Sequence, residues 1–112
     1  MKPVQSEHVE QRCFVEWVRL KHGVRIFAIP NGGKRSPREA QRLVVEGVSS
    51  GVPDLFVPEW LLWVEMKTRT GVVSAAQKDW IAYLNGIGHT AIVAKGFEDG
   101  MSQVEAFLKG RT

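Results

Sequence analysis

Apolar residues recur along the chain in two periods, and the switches between them mark out the elements. From Ser6 to His22, Val9, Cys13, Phe14, Trp17, Val18 and Leu20 fall at three- and four-residue steps, the spacing of an amphipathic helix, and Gly23 ends it. Val24 to Ile29 is rich in strand-forming residues and stops at the turn sequence Pro30-Asn31-Gly32-Gly33. Ser36 as N-cap and Pro37 in the first turn open a second helix, with Ala40, Leu43 and Val44 as its inner face and Gly47 closing it. The flexible segment Ser49 to Pro53 feeds a strand at Asp54-Leu55-Phe56-Val57. Pro58-Glu59 then turns the chain into a second strand running from Leu61 to Lys67, adjacent and antiparallel. Ser74 with Gln77 makes a capping box for a helix whose stripe is Ala76, Trp80, Ile81 and Leu84, stopped by Gly86 and Gly88. Thr90 to Ala94 reads as a strand, and Met101, Val104, Phe107 and Leu108 mark a last helix. The order αβαββαβα predicts an α/β fold, a mixed central sheet flanked by helices.

A chain of 112 residues, 44% apolar, predicts one domain over residues 1–112. The one cysteine, Cys13, excludes a disulfide scaffold, and its apolar neighbours predict a buried thiol in a reducing compartment. No leader or membrane-length apolar run is visible, so the expectation is a soluble cytoplasmic protein with no membrane partner. Fifteen Lys and Arg against 12 acids permit a nucleic-acid partner without requiring one. Four of those cations, Lys34, Arg35, Arg38 and Arg42, crowd a stretch holding a single acid. They either clasp phosphates or form an ordinary solvated helix face. Arg69, in Lys67-Thr68-Arg69, and Lys109 to Arg111 are weaker candidates for the same task.

The chemistry concentrates on Glu65 and Lys67. Two residues apart in a strand, their side chains share a face about 6.6 Å apart at Cα, while Val64 and Met66 enter the opposite layer. An edge-strand ion pair is one account. The other begins from Asp54, which an antiparallel turn brings near Glu65; adjacent carboxylates repel unless a cation joins them, and a divalent metal beside a lysine supplies one. Glu10 lies near the middle of the first helix's apolar arc, with Glu7 at its edge. It either reaches solvent past a narrower stripe or joins Asp54 and Glu65, and three carboxylates suit Mg²⁺ or Mn²⁺ rather than Zn²⁺. His8, His22 and His89 are scattered, no Ser-His-Asp or Cys-His set is credible, and Gly32-Gly33-Lys34 lacks the spacing of a phosphate-cradling loop. Trp17, Trp60, Trp63 and Trp80 read as core or interface anchors, and Trp60 and Trp63 flank the Glu65 strand where a second subunit could pack.

Gly51-Val52-Pro53-Asp54, then Glu65-Met66-Lys67, then Gly71, Ser74 and Gln77, with Trp80, Leu84 and Gly88 downstream, resemble the VRR-NUC family of PD-(D/E)xK nucleases. Pro30-Asn31-Gly32-Gly33 is similar to its stand-alone, phage-type members. The resemblance implies a restriction-endonuclease-like core and metal-dependent phosphodiester hydrolysis with Mg²⁺ or Mn²⁺. It implies that Asp54, Glu65 and the Met66 carbonyl hold the metal, that Lys67 activates or orients water, and that Glu10 is the first-helix acid, with Glu7 competing. Gln77 either lies at the site or serves only the capping box. The stand-alone members imply a homodimer acting on branched DNA, a four-way (Holliday) junction above all. A less selective flap, nicking or single-strand nuclease, and a DNA-binding module with its catalysis unused, are the alternatives.

Overall fold

The computed structural model describes residues 4–30 and 35–111. Ser6 caps the first helix, α1 (Glu7–Trp17), by accepting from the Val9 N–H, and the helix continues through a wider π turn, Val18–His22, to Gly23 at φ 64°. That widening rotates the last turn. Leu20, placed on the buried stripe by spacing alone, is 86% exposed, while Phe14 and Val18 are fully buried. Next come β1 (Phe27–Ala28), α2 (Pro37–Val45), β2 (Leu55–Val57), a 3₁₀ turn at Pro58–Trp60, β3 (Leu62–Lys67), α3 (Ala75–Gly86), β4 (Thr90–Lys95) and α4 (Phe97–Lys109). The order is the one the sequence predicts. The strands lie β1-β2-β3-β4, the first three antiparallel and β4 parallel to β3 through the α3 crossover.

Alternation on β3 splits the domain into two layers. Leu62, Val64 and Met66 enter one core with Phe14 and Val18 of α1, Leu55 and Val57 of β2, and Val104 of α4. Trp63, Glu65 and Lys67 face the other way, toward the side that α3 partly covers. Trp17 and Trp60 pack against the core and hold the His22 ring edge-on between them, at centroid distances of 5.0 and 5.2 Å.

Four expectations are corrected here. The strand read over Val24 to Ile29 contributes only Phe27 and Ala28 to the ladder, because β2 offers it a short partner. Helix α2 forms where the Ser36 cap and Pro37 place it, yet it buries no residue: Ala40 is exposed, Val44 is 66% exposed and Leu43 is only half-covered. Ala76 is also exposed on α3, and Cys13 is half-buried rather than buried. The turn Asn31 to Lys34 lies outside the described residues.

Strand β4 is a sheet edge, and side chains close it. The Asn85 amide accepts from the Ala91 N–H (2.9 Å) and donates to the Ala91 carbonyl (3.2 Å). Gln103 donates to the Val93 carbonyl, and Asp99 accepts from the Lys95 N–H. Such bonds deny the edge to another strand. Asn85→Ala frees both Ala91 groups and is expected to lower stability by about 1–2 kcal/mol, measured by urea unfolding against wild type.

Candidate active site

The site is a fork in the sheet. The β2–β3 ladder pairs Val57 with Leu62, Phe56 with Trp63 and Leu55 with Val64, and there the backbone pairing ends. At the next position the Asp54 carboxylate replaces a backbone carbonyl: its Oδ2 accepts from the Met66 N–H at 2.8 Å. The Asp54 carbonyl meanwhile accepts from the Ile29 N–H at 2.7 Å, so the strand is held on both sides while its side chain reaches across the fork. N–H and C=O of one strand residue point to the same side, which directs the Met66 carbonyl toward Asp54 as well.

The residues before Asp54 explain themselves by packing. Gly51, at φ 91°, passes so close to the first turn of α3 that a Cβ there would sit 2.6 Å from the Ala76 backbone, and Pro53 is buried behind it. Gly71 has the same logic after β3, where a Cβ would stand 3.2 Å from the Lys67 Cβ; the turn folds back over the lysine.

Glu65 is buried, and its two oxygens have different surroundings. Oε2 accepts from Gln77 Nε2 at 3.1 Å and lies 3.6 Å from the Lys67 ammonium. Oε1 is buried facing no hydrogen-bond donor. Burial, then the charge of Asp54 and a hydrogen bond shared with it, raise the Glu65 pKa to about 8 against the pull of Lys67. Without a cation Glu65 is thus pushed toward its protonated form near neutral pH.

Gln77 serves two ends of one amide. Its Oε1 accepts from the Ser74 N–H, completing the reciprocal capping box with Ser74 Oγ, and its Nε2 is left to donate to Glu65. The cap fixes the rotamer that the site uses, so the two roles weighed from sequence are both filled.

The first-helix acid differs from the expectation. Glu10 is buried, but its carboxylate lies against Gly96 and the Arg69 side chain at the start of α4, in a cleft of about 490 Å³ also lined by Cys13 and Lys95. A side chain on Gly96 would collide with it. Glu7, one turn earlier, is the acid that Asp54, Glu65 and Lys67 feel, and burial followed by the Asp54 charge raises its pKa. The arc argument centred Glu10 correctly on the buried face. It erred on where that face leads: Glu10 turns to Gly96 at the end of β4, and of the two acids only Glu7 is felt by Glu65. The structure therefore brings together Asp54, Glu65, Lys67, Gln77 and Glu7, and places Glu10 elsewhere.

The family model for the VRR-NUC domain matches residues 5–98, which contain the whole constellation. The chain belongs to the VRR-NUC family. A solved structure described as a VRR_NUC domain protein superposes with a TM-score of 0.76 at 24% identity, over 97% of this chain and 92% of that one, a likeness of fold. Comparison with curated proteins gives no significant match. Family membership makes this a nuclease-type domain of DNA processing, in a family that generally uses divalent metals.

Among the described residues of this VRR-NUC domain, no three His, Cys, Asp or Glu side chains cluster tightly enough to cage a metal by themselves. The pair does fit one. Magnesium is commonly held by one or two carboxylates, its other positions taken by water and phosphate, and the donorless Glu65 Oε1 beside Asp54 is an oxygen in need of a cation. Of the candidate DNA-binding residues, Arg38 and Arg42 are exposed on α2, with Arg42 3.5 Å from Glu46 one turn on; Arg35 is half-buried, and Arg69 is exposed beside the Glu10 cleft. Lys34 lies outside the described residues. Among those residues no helix is long and apolar enough to cross a membrane.

Proposed function

We propose that this domain is a metal-dependent, structure-selective DNA endonuclease that acts as a homodimer on branched DNA, a four-way junction in particular. The observation that carries the hydrolytic reading is the buried Glu65, one oxygen without a donor, beside the half-buried Asp54 and with Lys67 alongside, a set of groups where a divalent cation fits. Asp54, Glu65 and the Met66 carbonyl would hold Mg²⁺ or Mn²⁺, which when bound neutralises charge on the phosphate and makes a neighbouring water more acidic.

The remaining steps belong to side chains. Asp54 is aimed by the Met66 N–H and Glu65 by the Gln77 amide, so neither reorganises when substrate arrives. Lys67, half-buried with its ammonium on the phosphate side of Glu65, stabilises negative charge as the phosphorus becomes five-coordinate and orients the attacking water. Glu7, exposed at the rim, accepts a hydrogen bond from water on the outer side of the site. The scissile P–O bond breaks as the water oxygen bonds to phosphorus; the attacking water's proton passes to solvent through that rim, and the departing sugar oxygen takes a proton from a solvent water. Arg38 and Arg42 on α2 contact backbone phosphates, while Arg69 and Glu10 line the cleft at Gly96.

The test is cleavage of a labelled four-way junction beside flap, nicked and linear duplex controls, with Mg²⁺, Mn²⁺ or EDTA. Paired, metal-dependent incisions across the junction, with at least about tenfold slower cutting of linear duplex, are expected. Equal cutting of every substrate would leave the hydrolytic site standing and reject junction selectivity. Tight binding without cutting under either metal would make the chain a binding module.

A further inference from the structure

Beyond Lys67, at the carboxyl ends of β3 and β4, lies the cleft of about 490 Å³, within the range of roughly 300–1,000 Å³ that ligand sites occupy. Glu10 lines it from α1. The residue is only 6% exposed, and among the described residues its carboxylate accepts no hydrogen bond and joins no ion pair. A buried carboxylate without a donor is costly, so the cleft calls for a group that brings donors to it. Gly96 makes room for that carboxylate, since a Cβ there would collide with its Oε2, and as N-cap of α4 it leaves the first-turn N–H groups without a side-chain cap. Phe97 adds an aromatic ring to the lining, and Arg69 and Lys95 add positive charge.

We propose that this cleft takes an unpaired guanine base of the strand being cut, from the nucleotide next to the scissile phosphate, with the Glu10 carboxylate accepting from its N1–H and its N2 amino group. This rests on the nuclease reading and gives that site a base preference. Strand register supports the placement. Lys67 ends β3 and its partner Lys95 ends β4, one strand spacing of about 4.8 Å away, and Arg69 follows Lys67 by two residues. A strand whose scissile phosphate lies at Lys67 brings its neighbouring phosphate to Lys95 and Arg69, and its base to the cleft beyond them. Edge chemistry then selects the base. On its pairing edge guanine offers two adjacent donors to the two oxygens of one carboxylate, and its O6 beside them can accept from an α4 N–H. Cytosine and adenine carry an acceptor nitrogen beside their single amino group, and thymine has one N–H between two carbonyls. Each of these sets an acceptor against a carboxylate oxygen.

Other occupants fit the lining less well. Glu98 and Asp99 add acids to it, and Asp99 already accepts from the Lys95 N–H and the Gln103 amide, so the interior repels a phosphate. No three His, Cys, Asp or Glu side chains among the described residues gather closely enough to hold a metal. A neutral base with adjacent donors meets a carboxylate, a ring and a helix terminus together. Extruded bases are held in that way, by hydrogen bonds on the pairing edge and by stacking on a side chain, and branched DNA frees a base at less cost than intact duplex.

The experiment is fluorescence-anisotropy titration in EDTA, where nothing is cut, of labelled short oligothymidylates whose central base is guanine, hypoxanthine or thymine. Wild type is expected to bind the guanine strand about tenfold more tightly than the all-thymine strand, the discrimination of a good bidentate base contact, with hypoxanthine, which lacks the N2 amino group, in between. Glu10→Gln is expected to bind all three within about twofold of one another, because an amide offers one acceptor and sets its own donor against the second guanine donor. Lys95→Gln should weaken every strand alike and lower the salt slope by about 0.7. Glu10 is buried, so near-UV circular dichroism checks the folding of its variant, and the wild-type series stands without it. Equal affinity of wild type for the three strands overturns the inference, as does a guanine preference that survives in folded Glu10→Gln. Free dGMP binding as tightly as the guanine strand would make the cleft a nucleotide site and overturn its assignment to the strand being cut. Cleavage is scored separately, on junctions randomised at the two nucleotides flanking the cut: guanine is expected to be enriched at one of them, and cutting without base preference rejects the inference. A wild type that prefers guanine in EDTA and cuts nothing keeps the cleft and sinks the nuclease reading.

Discussion

Lys67→Met is expected to lower metal-supported cleavage by about 10³-fold while leaving DNA affinity within a few-fold of wild type. Removing one preorganised group that stabilises transition-state charge costs about 10²–10³ in rate, and burial enlarges the effect because water cannot take its place. Lys67 is such a group: its side chain is mostly covered by the turn closed at Gly71, and its ammonium is held 3.6 Å from Glu65 Oε2. Methionine keeps the length and the packing under that turn and removes only the charge. Single-turnover cleavage with saturating enzyme separates the chemical step from binding, which a gel-shift titration in EDTA measures independently. Loss of affinity in proportion to loss of rate would make Lys67 a phosphate anchor instead. A rate within tenfold of wild type would remove it from the chemistry.

How much of this site was legible in the sequence depended on the kind of constraint each residue obeys. Asp54, Glu65 and Lys67 were found because strand alternation and a short antiparallel connection are local rules, and the observed register of Leu55 with Val64 realises them. The capping box placed Gln77 at the start of α3, while its place beside Glu65 was suggested only by the family resemblance. Helix α1 obeys its own periodicity equally well, yet the choice between Glu7 and Glu10 turns on how a helix crosses a sheet, which is tertiary. The apolar side of α2 was read correctly as apolar and wrongly as inward, because hydrophobic pattern reports that a face must be covered and not which molecule covers it. Strand Val24 to Ile29 was overextended since β propensity is realised only where a neighbouring strand offers hydrogen bonds, and β2 offers few.

Glu65→Gln is expected to abolish cleavage and, in EDTA, to remove the loss of stability that this acid causes as pH rises. The folded-state pKa of Glu65 is about 8, well above the ordinary 4.5, so between those values the folded protein holds a proton that the unfolded chain releases. Stability from this group is therefore complete below about pH 4.5 and is lost as pH rises through 8. The full effect of one shifted unit is about 1.4 kcal/mol. Relaxation of the fork and partial hydration reduce the sum, and a loss on the order of 2 kcal/mol between pH 5 and pH 8 is expected for metal-free wild type. Glutamine cannot titrate. Its carbonyl still accepts from the Gln77 amide and its own amide can donate to Asp54, so the variant has the neutral geometry at every pH. Metal-free Glu65→Gln should consequently match wild type near pH 5 and exceed it near pH 8 by about the same 2 kcal/mol. Millimolar Mg²⁺ or Mn²⁺ should then reverse the order at pH 8, raising the melting temperature of wild type and leaving the variant unmoved, since a ligand stabilises only the state that binds it. Thermal unfolding of both proteins at pH 5 and pH 8, with metal and with EDTA, gives all four comparisons. Parallel pH profiles in EDTA would show that Glu65 is ionised in the folded protein and would overturn its raised pKa. An equal metal response in the variant would place the cation on other ligands.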